Sequence, residues 1–432
     1  MSYTHHSSTA PVVFSQRWHY AKEQAISFLM QQGVENPQVI SLAAGLVDYS
    51  TLPVHETRSA AEQLLGDPAA AQLALQYGTT AGAERLRHLL LHHFAELEGT
   101  SVSDCPATAG RLLVTTGSQQ MLSLVCEVLL DPGDICLVAG PTYFVFCGNL
   151  SGVGAETVTI PTDDDGMRTD MLEQALQQLD SEGKLARVKL IYVVSYYDNP
   201  AGLSLSAERR QDVVEIARRW SREHRILVLE DAAYRELRYD GPVYPSVWSC
   251  DDTGGQHVIY TQTFSKTFAP GLRVGYGIVP DDLVRPLCDR KGNEDFGSAN
   301  LNQHLLAGVL QSGQYAEHLG QVCEAYRQKR DAMLSAAEEH FSKIPGASWV
   351  HPHGGLYVWL TLPERIETGF DSPLFTEAVK RQEVMYVPGE LCYTGPVDQR
   401  PRHQMRLSYG VQTPSGIHEG IQRLAKAISN CL

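Results

Sequence analysis

Lys266 lies in Thr263-Phe264-Ser265-Lys266-Thr267, directly after an apolar run and just before Pro270-Gly271-Leu272-Arg273. A lysine at a strand end projects into a cleft, where desolvation and neighbouring positive charge lower its pKa. That is the condition for an amine nucleophile that forms a Schiff base. A single loop lysine is ordinarily solvated and idle, so its company decides. Asp231 ends the run Ile226-Leu227-Val228-Leu229-Glu230-Asp231. A carboxylate at a buried strand terminus needs a partner, although capping the next helix is the commoner job for such an aspartate. Asn199, in Tyr196-Tyr197-Asp198-Asn199-Pro200-Ala201-Gly202, also follows a strand and reads equally as a turn residue before proline. Gly117-Ser118-Gln119 opens a helix, so its free backbone N–H groups and hydroxyl suit a phosphate, as an unliganded turn also would.

These residues must be placed by a scaffold, and the apolar pattern shows which one. Short apolar runs at Leu112–Val114, Ile135–Ala139, Val188–Val194, Ile226–Leu229, His257–Thr261 and Val274–Val279 predict strands. Helical segments are predicted at Gln119–Leu130 and 207–222. Continuous rather than alternating apolar strands suit a sheet buried on both faces, which predicts a mainly parallel, doubly wound α/β domain over 59–303. In such sheets ligands bind beyond the carboxyl ends of the strands, where this chain puts its polar residues.

After 303 the pattern becomes α+β. It predicts a long helical stretch over 303–342 broken near Ser312-Gly313, strands near 347–350 and 355–361, and a helix at 372–382. Strands at 384–387 and 404–408 and a terminal helix at 414–430 follow. Near the start, the stretch to Pro11 is polar and reads as loose, and 16–33 reads as a helix stopped at Gly33.

The 432 residues suggest two or three domains. With 35 Lys+Arg against 50 Asp+Glu the net charge is −15, which argues against a nucleic-acid surface. The nine cysteines form no Cys-x-x-Cys pair, and several lie in apolar segments, which predicts reduced thiols in a reducing compartment. No signal pattern is present and no apolar run approaches the ~18 residues of a membrane span. The expectation is a soluble cytoplasmic protein without membrane partners. His351-Pro352-His353 lacks a third ligand nearby and predicts no metal site, and His92-His93 reads as the solvated face of a helix.

Further motifs stand in a fixed order: Leu75-Gln76-Tyr77-Gly78, Thr115-Thr116-Gly117-Ser118-Gln119-Gln120, Pro141-Thr142-Tyr143 and Asp198-Asn199-Pro200-Ala201-Gly202. Then come Glu230-Asp231-Ala232-Ala233-Tyr234, the Lys266 segment with Gly271-Leu272-Arg273-Val274-Gly275-Tyr276, His353-Gly354-Gly355-Leu356-Tyr357 and Met405-Arg406-Leu407-Ser408. Over nearly the whole chain this series resembles the fold-type I pyridoxal-phosphate enzymes, specifically the class I/II aminotransferases related to aspartate, kynurenine and 2-aminoadipate aminotransferases.

The resemblance implies pyridoxal 5'-phosphate as cofactor, with Lys266 forming the Schiff base to its aldehyde and Asp231 pairing with its ring nitrogen. Asn199 and Tyr234 would hydrogen-bond the ring's 3-oxygen, and Tyr143 would stack on the ring. Gly117, Ser118 and Gln119 would hold the phosphate, with Thr263, Ser265 and Arg273 closing round it. Tyr77 would reach the phosphate of a neighbouring subunit, which implies a homodimer with shared sites. Arg406 would grip the substrate's α-carboxylate in a two-point contact, beside the backbone of Gly45. Residues 1–58 would join a small domain formed by 304–432.

The implied reaction moves an amino group between an α-amino acid and a 2-oxo acid. Other Cα-carbanion chemistry on the same scaffold (elimination, γ-substitution, decarboxylation, oxidation) is the alternative, and a cofactor-binding sensor without catalysis is a further one. Val47 replaces a usual proline, Ala201 a usual threonine, and Ala232-Ala233 a more polar pair. These departures bear on side-chain specificity.

Overall fold

The computed structural model describes residues 12–20 and 38–432. Its strands are β1 (Ile40–Ser41), β2 (Leu112–Thr115), β3 (Ile135–Gly140), β4 (Glu156–Asp163), β5 (Gly166–Met167), β6 (Val188–Val194) and β7 (Leu227–Asp231). They continue with β8 (Val258–Thr263), β9 (Gly275–Ile278), β10 (Ser348–Trp349), β11 (Tyr357–Thr361), β12 (Val384–Met385), β13 (Val387–Pro388) and β14 (Gln404–Ser408).

Eight of these form one sheet in the order β2-β9-β8-β7-β6-β3-β4-β5, parallel except where β9 and β5 run against their neighbours. The expected doubly wound α/β domain is therefore present. Its inner strands are largely apolar because each sends alternate residues into two separate cores. Leu113, Leu190, Tyr192, Leu229 and Ile259 pack on one face, while Val114, Ile191, Val193, Val228 and Val258 pack on the other. Each such buried aliphatic contributes about 1.5–3 kcal/mol, so the sheet is rigid where its strands end.

Strand order reverses between β3 and β6, since β4 continues outward on one side and β7 and β8 on the other. A crevice opens at such a switch point. Tyr143 follows β3 by three residues, Asn199 follows β6 by five, and Asp231 is the last residue of β7.

Strand β4 was not anticipated. Its sequence Glu-Thr-Val-Thr-Ile-Pro-Thr-Asp is polar and carries a proline, because it lies near the sheet edge with only Ile160 fully buried. The expected strand at 384–387 divides in two: β12 pairs in parallel with β1, and β13 joins the antiparallel sheet β10-β11-β14-β13. Through the β1–β12 pair the chain before residue 58 meets the C-terminal part.

The long helical stretch is two helices, Asn300–Gln311 and Gln314–Phe341, separated at Gly313 (φ +78). Asn300–Gln311 packs on helices Val54–Gly66 and Glu84–Leu97, and residue 303 falls inside it. Of the helix expected over 16–33, Gln16–Tyr20 is helical. The rest of it, and the stretch to Pro11, lie outside the described residues. No described helix is long and apolar enough to cross a membrane.

His93 differs from the expectation of a solvated face. It points inward from helix Glu84–Leu97 and pairs with Glu236 at 2.9 Å, both side chains being largely buried. Tyr315 donates to the same carboxylate at 3.0 Å, and its hydroxyl oxygen lies 2.9 Å from Thr267 Oγ1, placed to accept that hydroxyl's proton, one residue from Lys266. Burial alone would push the His93 imidazolium down, but the Glu236 carboxylate overrides it and holds it up. Burial works against the Glu236 carboxylate too, yet His93 and Tyr315 keep it below its ordinary value.

The signs of these shifts set a pH dependence. The His93 contribution is complete below the ordinary histidine value and is lost as pH rises through the raised folded value. The Glu236 contribution is present above the ordinary carboxylate value and lost as pH falls through the lowered one. Glu236→Gln is expected to cost about 3–5 kcal/mol, because it breaks a buried pair from one side. Thermal unfolding across pH should show the wild type's alkaline loss missing from the variant; an unchanged profile would mean the pair is not ionised.

Candidate active site

Lys266 stands three residues past β8 in a turn held by its own hydroxyls. Thr263 and Ser265 Oγ atoms lie 2.9 Å apart, and the Ser265 N–H donates to Thr263 Oγ1 at 3.2 Å. The half-buried Lys266 Nζ donates to the Gly45 carbonyl at 2.8 Å, across from the β8 end to the segment after β1. Burial lowers its pKa, Arg406 and Arg273 push in the same direction, and the Tyr357 phenol opposes them. These are the conditions for an amine available as base and nucleophile.

Asp231 is only 4% exposed. Its Oδ2 accepts from the Tyr192 hydroxyl at 3.0 Å and its Oδ1 from the Ala233 N–H at 3.1 Å. Burial lifts it to about 6, and these two bonds hold it from rising further. The helix-cap reading of Asp231 fails, because no helix follows it: residues 232–238 form a turn that carries Tyr234 back to the site.

The third element is a cup. Gly117 (φ +73) precedes helix Ser118–Leu129, and the antiparallel β2–β9 register sets Thr115 against Gly275. A Cβ at Gly275 would meet Ser118 N at 2.6 Å, Gly117 C at 2.7 Å and Gln262 O at 2.9 Å, so only glycine lets these backbones approach. Arg273, itself at φ +52, donates to the Thr116 carbonyl at 3.1 Å and leaves the rest of its guanidinium beside Gly117. Helix N–H groups and a guanidinium on one spot suit a dianion. Gln119 Nε2 donates to Asn149 Oδ1 at 3.3 Å behind the cup.

The fourth is Arg406, on the β14 strand that is central in the small sheet rather than at its edge. It is 2% exposed. One Nη donates to Asn199 Oδ1 at 2.8 Å and the other to the Ala43 carbonyl at 2.7 Å, while Nε has no hydrogen-bond partner. No described carboxylate lies within ion-pair distance of it. Its guanidinium lies 4.4 Å from the Tyr357 ring centre, and the Tyr357 and Tyr234 hydroxyls are hydrogen-bonded at 3.2 Å. Tyr357 was quoted in a motif without a role. Its signal was a phenol at the start of a mostly apolar strand, and its place here is set by packing between Tyr234 and Arg406.

Lys266, Asp231, Asn199, Tyr234, Gly45 and Arg406 thus share one locality, with the cup of Gly117, Ser118, Thr263, Ser265 and Arg273 adjoining it. Tyr143, ahead of helix Phe144–Gly152, is close enough for the Asp231 charge to help raise its pKa, though burial is the larger cause. Tyr77 stands apart. It is 82% exposed, with its ring edge against Phe296 at 5.5 Å. His353 pairs with Asp240 at 2.5 Å and His351 stacks on Trp349. Ala201 packs against Trp359 and Cys392. A cleft of about 660 Å³ lined by Tyr197, Tyr244, Trp349, His351, His353 and Trp359 lies elsewhere, and neither Lys266, Asp231, Arg406 nor the cup residues line it.

A desolvated lysine after the last parallel strand, a buried aspartate at the end of its neighbour and an anion cup at a helix start define a pyridoxal-phosphate enzyme of fold type I. The chain belongs to the family described as aminotransferase class I and II, whose model matches residues 37–424. It is 36% identical over 395 residues to aromatic-amino-acid aminotransferase 1 of Thermococcus litoralis, covering 91% of this chain and 89% of that one.

Among solved structures, the multiple substrate aminotransferase of Thermococcus profundus superposes with a TM-score of 0.86 at 36% identity, covering 96% of this chain and 97% of the other. The kynurenine aminotransferase of Pyrococcus horikoshii, solved with PMP and kynurenine, gives 0.87 at 33%, covering 97% of each. The protein is a pyridoxal-phosphate-dependent aminotransferase acting on amino acids and 2-oxo acids.

Proposed function

We propose that Lys266 carries the amine chemistry of this transaminase, with Asp231, Asn199 and Tyr234 holding the cofactor ring, Tyr143 against its face, and Gly117, Ser118, Gln119, Thr263, Ser265 and Arg273 holding its phosphate. The observation that carries the reading is Arg406: a buried guanidinium with an orphan Nε and no described carboxylate partner, in the same locality as a desolvated lysine. An unpaired buried charge is costly unless a ligand supplies the counter-ion, and an amino-acid or oxo-acid carboxylate fits its planar fork.

The residues present fit pyridoxal phosphate. The cup is lined by a glycine whose Cβ would lie 3.0 Å from Arg273 Nη2, and Asp231 presents a carboxylate that burial makes ready to accept a positive partner. When bound, the cofactor supplies an electron-withdrawing ring that stabilises negative charge at the substrate's Cα. Lys266 would accept the substrate's Cα proton at Nζ and hold it for redelivery within the same bound unit. Arg406 keeps the carboxylate fixed while this happens, and the Gly45 carbonyl holds the amine between steps.

The relatives' substrates, aromatic amino acids and kynurenine, are the donors we propose to test first, with 2-aminoadipate beside them. Purified protein given each donor with a 2-oxo acid should yield the donor's own oxo acid and the acceptor's amino acid in equal amounts. Formation of ammonia, carbon dioxide or peroxide without amino-acid product would sink transamination and favour another Cα-carbanion reaction.

We also propose that Leu73, Leu75, Tyr77 and Phe296, all more than 60% exposed, are covered by a second copy of the chain, with Tyr77 entering that copy's phosphate cup. The nine free cysteines support a cytoplasmic setting. The division into an N-terminal segment, a large and a small domain is supported by the β1–β12 pair and the helix break at Gly313.

A further inference from the structure

β6 is buried between two cores and carries one buried polar side-chain atom, the Tyr192 hydroxyl. A phenol with no access to water must find an acceptor. The parallel register sets Tyr192 against Leu229 and Val194 against Asp231, which makes Tyr192 and Asp231 diagonal neighbours on one face of the sheet. The hydroxyl donates to Asp231 Oδ2 at 3.0 Å. Its ring cannot swing away, because Phe146 stacks on it with centroids 3.9 Å apart and planes 28° from parallel.

With Ala233 N–H on Oδ1, the carboxylate is gripped at both oxygens and its plane is set by the sheet. We propose that Tyr192 is a positioning residue of the transaminase, orienting Asp231 as the partner of the cofactor's ring nitrogen.

This rests on the reading of Asp231 given above. Among the described residues three titratable groups act on or feel Asp231: Tyr192 from β6, Tyr143 from the loop after β3, and Glu230 from its own strand. Glu230 raises Asp231 from the opposite face, where Ser195 and the Val247 and Trp248 N–H groups hold it. Tyr192 is the side chain that opposes burial, and burial keeps its own proton on well beyond the ordinary phenol range. Without it, Asp231 competes better for the proton it would otherwise leave on the ring nitrogen.

Tyr192→Phe removes the donor and keeps the ring. With cofactor labelled at the ring nitrogen, its nitrogen magnetic resonance should move from the pyridinium toward the neutral pyridine position. Titration of the apoprotein should show cofactor affinity about tenfold weaker, the loss of one charge-assisted hydrogen bond. Phe146→Leu keeps the hydroxyl while loosening the stack, so it should melt lower yet leave the nitrogen signal in place.

A Tyr192→Phe protein that melts lower but keeps the wild-type nitrogen signal and affinity would overturn the proposal. So would a Phe146→Leu protein that shifts the signal equally, since packing would then be responsible. Asp231→Asn is the control. If it too left the signal unmoved, the Asp231 assignment would be wrong and the Tyr192 role would go with it. A signal moved by Asp231→Asn but not by Tyr192→Phe overturns the Tyr192 role alone.

Discussion

Lys266→Ala is expected to abolish transamination while leaving the protein folded and still able to bind cofactor weakly. Among the described residues Lys266 Nζ makes one hydrogen bond, to the Gly45 carbonyl at 2.8 Å, and burial disfavours its charge. Removing it therefore takes nothing essential from the fold. Thermal stability should hold or rise slightly. The chemistry should collapse: a positioned proton carrier contributes roughly 10²–10⁴-fold on its own, and the covalent attachment of the cofactor is lost with the same atom. The cup at Gly117 and Ser118 and the Asp231 carboxylate do not depend on the lysine, so dialysis should find cofactor held reversibly. Turnover, retained cofactor and melting temperature measured on one preparation check all three parts. Near-normal transamination by the alanine variant would show that Lys266 has been misassigned.

For Arg406→Lys, amino-acid and oxo-acid substrates should lose affinity to the same degree, because both present a carboxylate to the same fork. Lysine keeps the positive charge but not the planar pair of donors. The loss of one charge-assisted hydrogen bond is worth about 1.5–3 kcal/mol, roughly ten- to a hundredfold in binding. Asn199 and Ala43 hold the arginine from either side, so a shorter reach toward either would also misplace the charge. Cofactor affinity should stay near the wild-type value. Spectral titration with substrate, run beside thermal unfolding, separates the roles: a structural arginine would lower the melting temperature and leave the titration unchanged, and that result would remove Arg406 from the substrate site.

Much of this was legible before folding. Strand β6 was bounded to the residue, since a mostly apolar run between polar turns admits few other readings, and β14 was bounded equally well. The polar residues at strand ends were legible for the same reason: Lys266, Asp231 and Asn199 interrupt apolar runs where burial should forbid them. Strand β4 was missed because it lies next to the sheet edge, mostly out of the core, and so carries no apolar signature. His93 was misread because one turn of helix Glu84–Leu97 mixes inward and outward polar residues, and Glu236, its partner, is far off in the chain.

Local sequence thus determined which residues have unusual needs, because the cost of burying a polar group is paid at its own position. It also determined the middle of the sheet, because two-sided burial writes itself into the strands that lie there. Which needs are met by which partners was decided only by tertiary structure. Asp231 finds Tyr192 through the parallel register of two strands, and Arg406 reaches Asn199 across the junction between two sheets. The orphan Nε of Arg406 is visible only there: a buried charge is unpaired only relative to everything that folds around it.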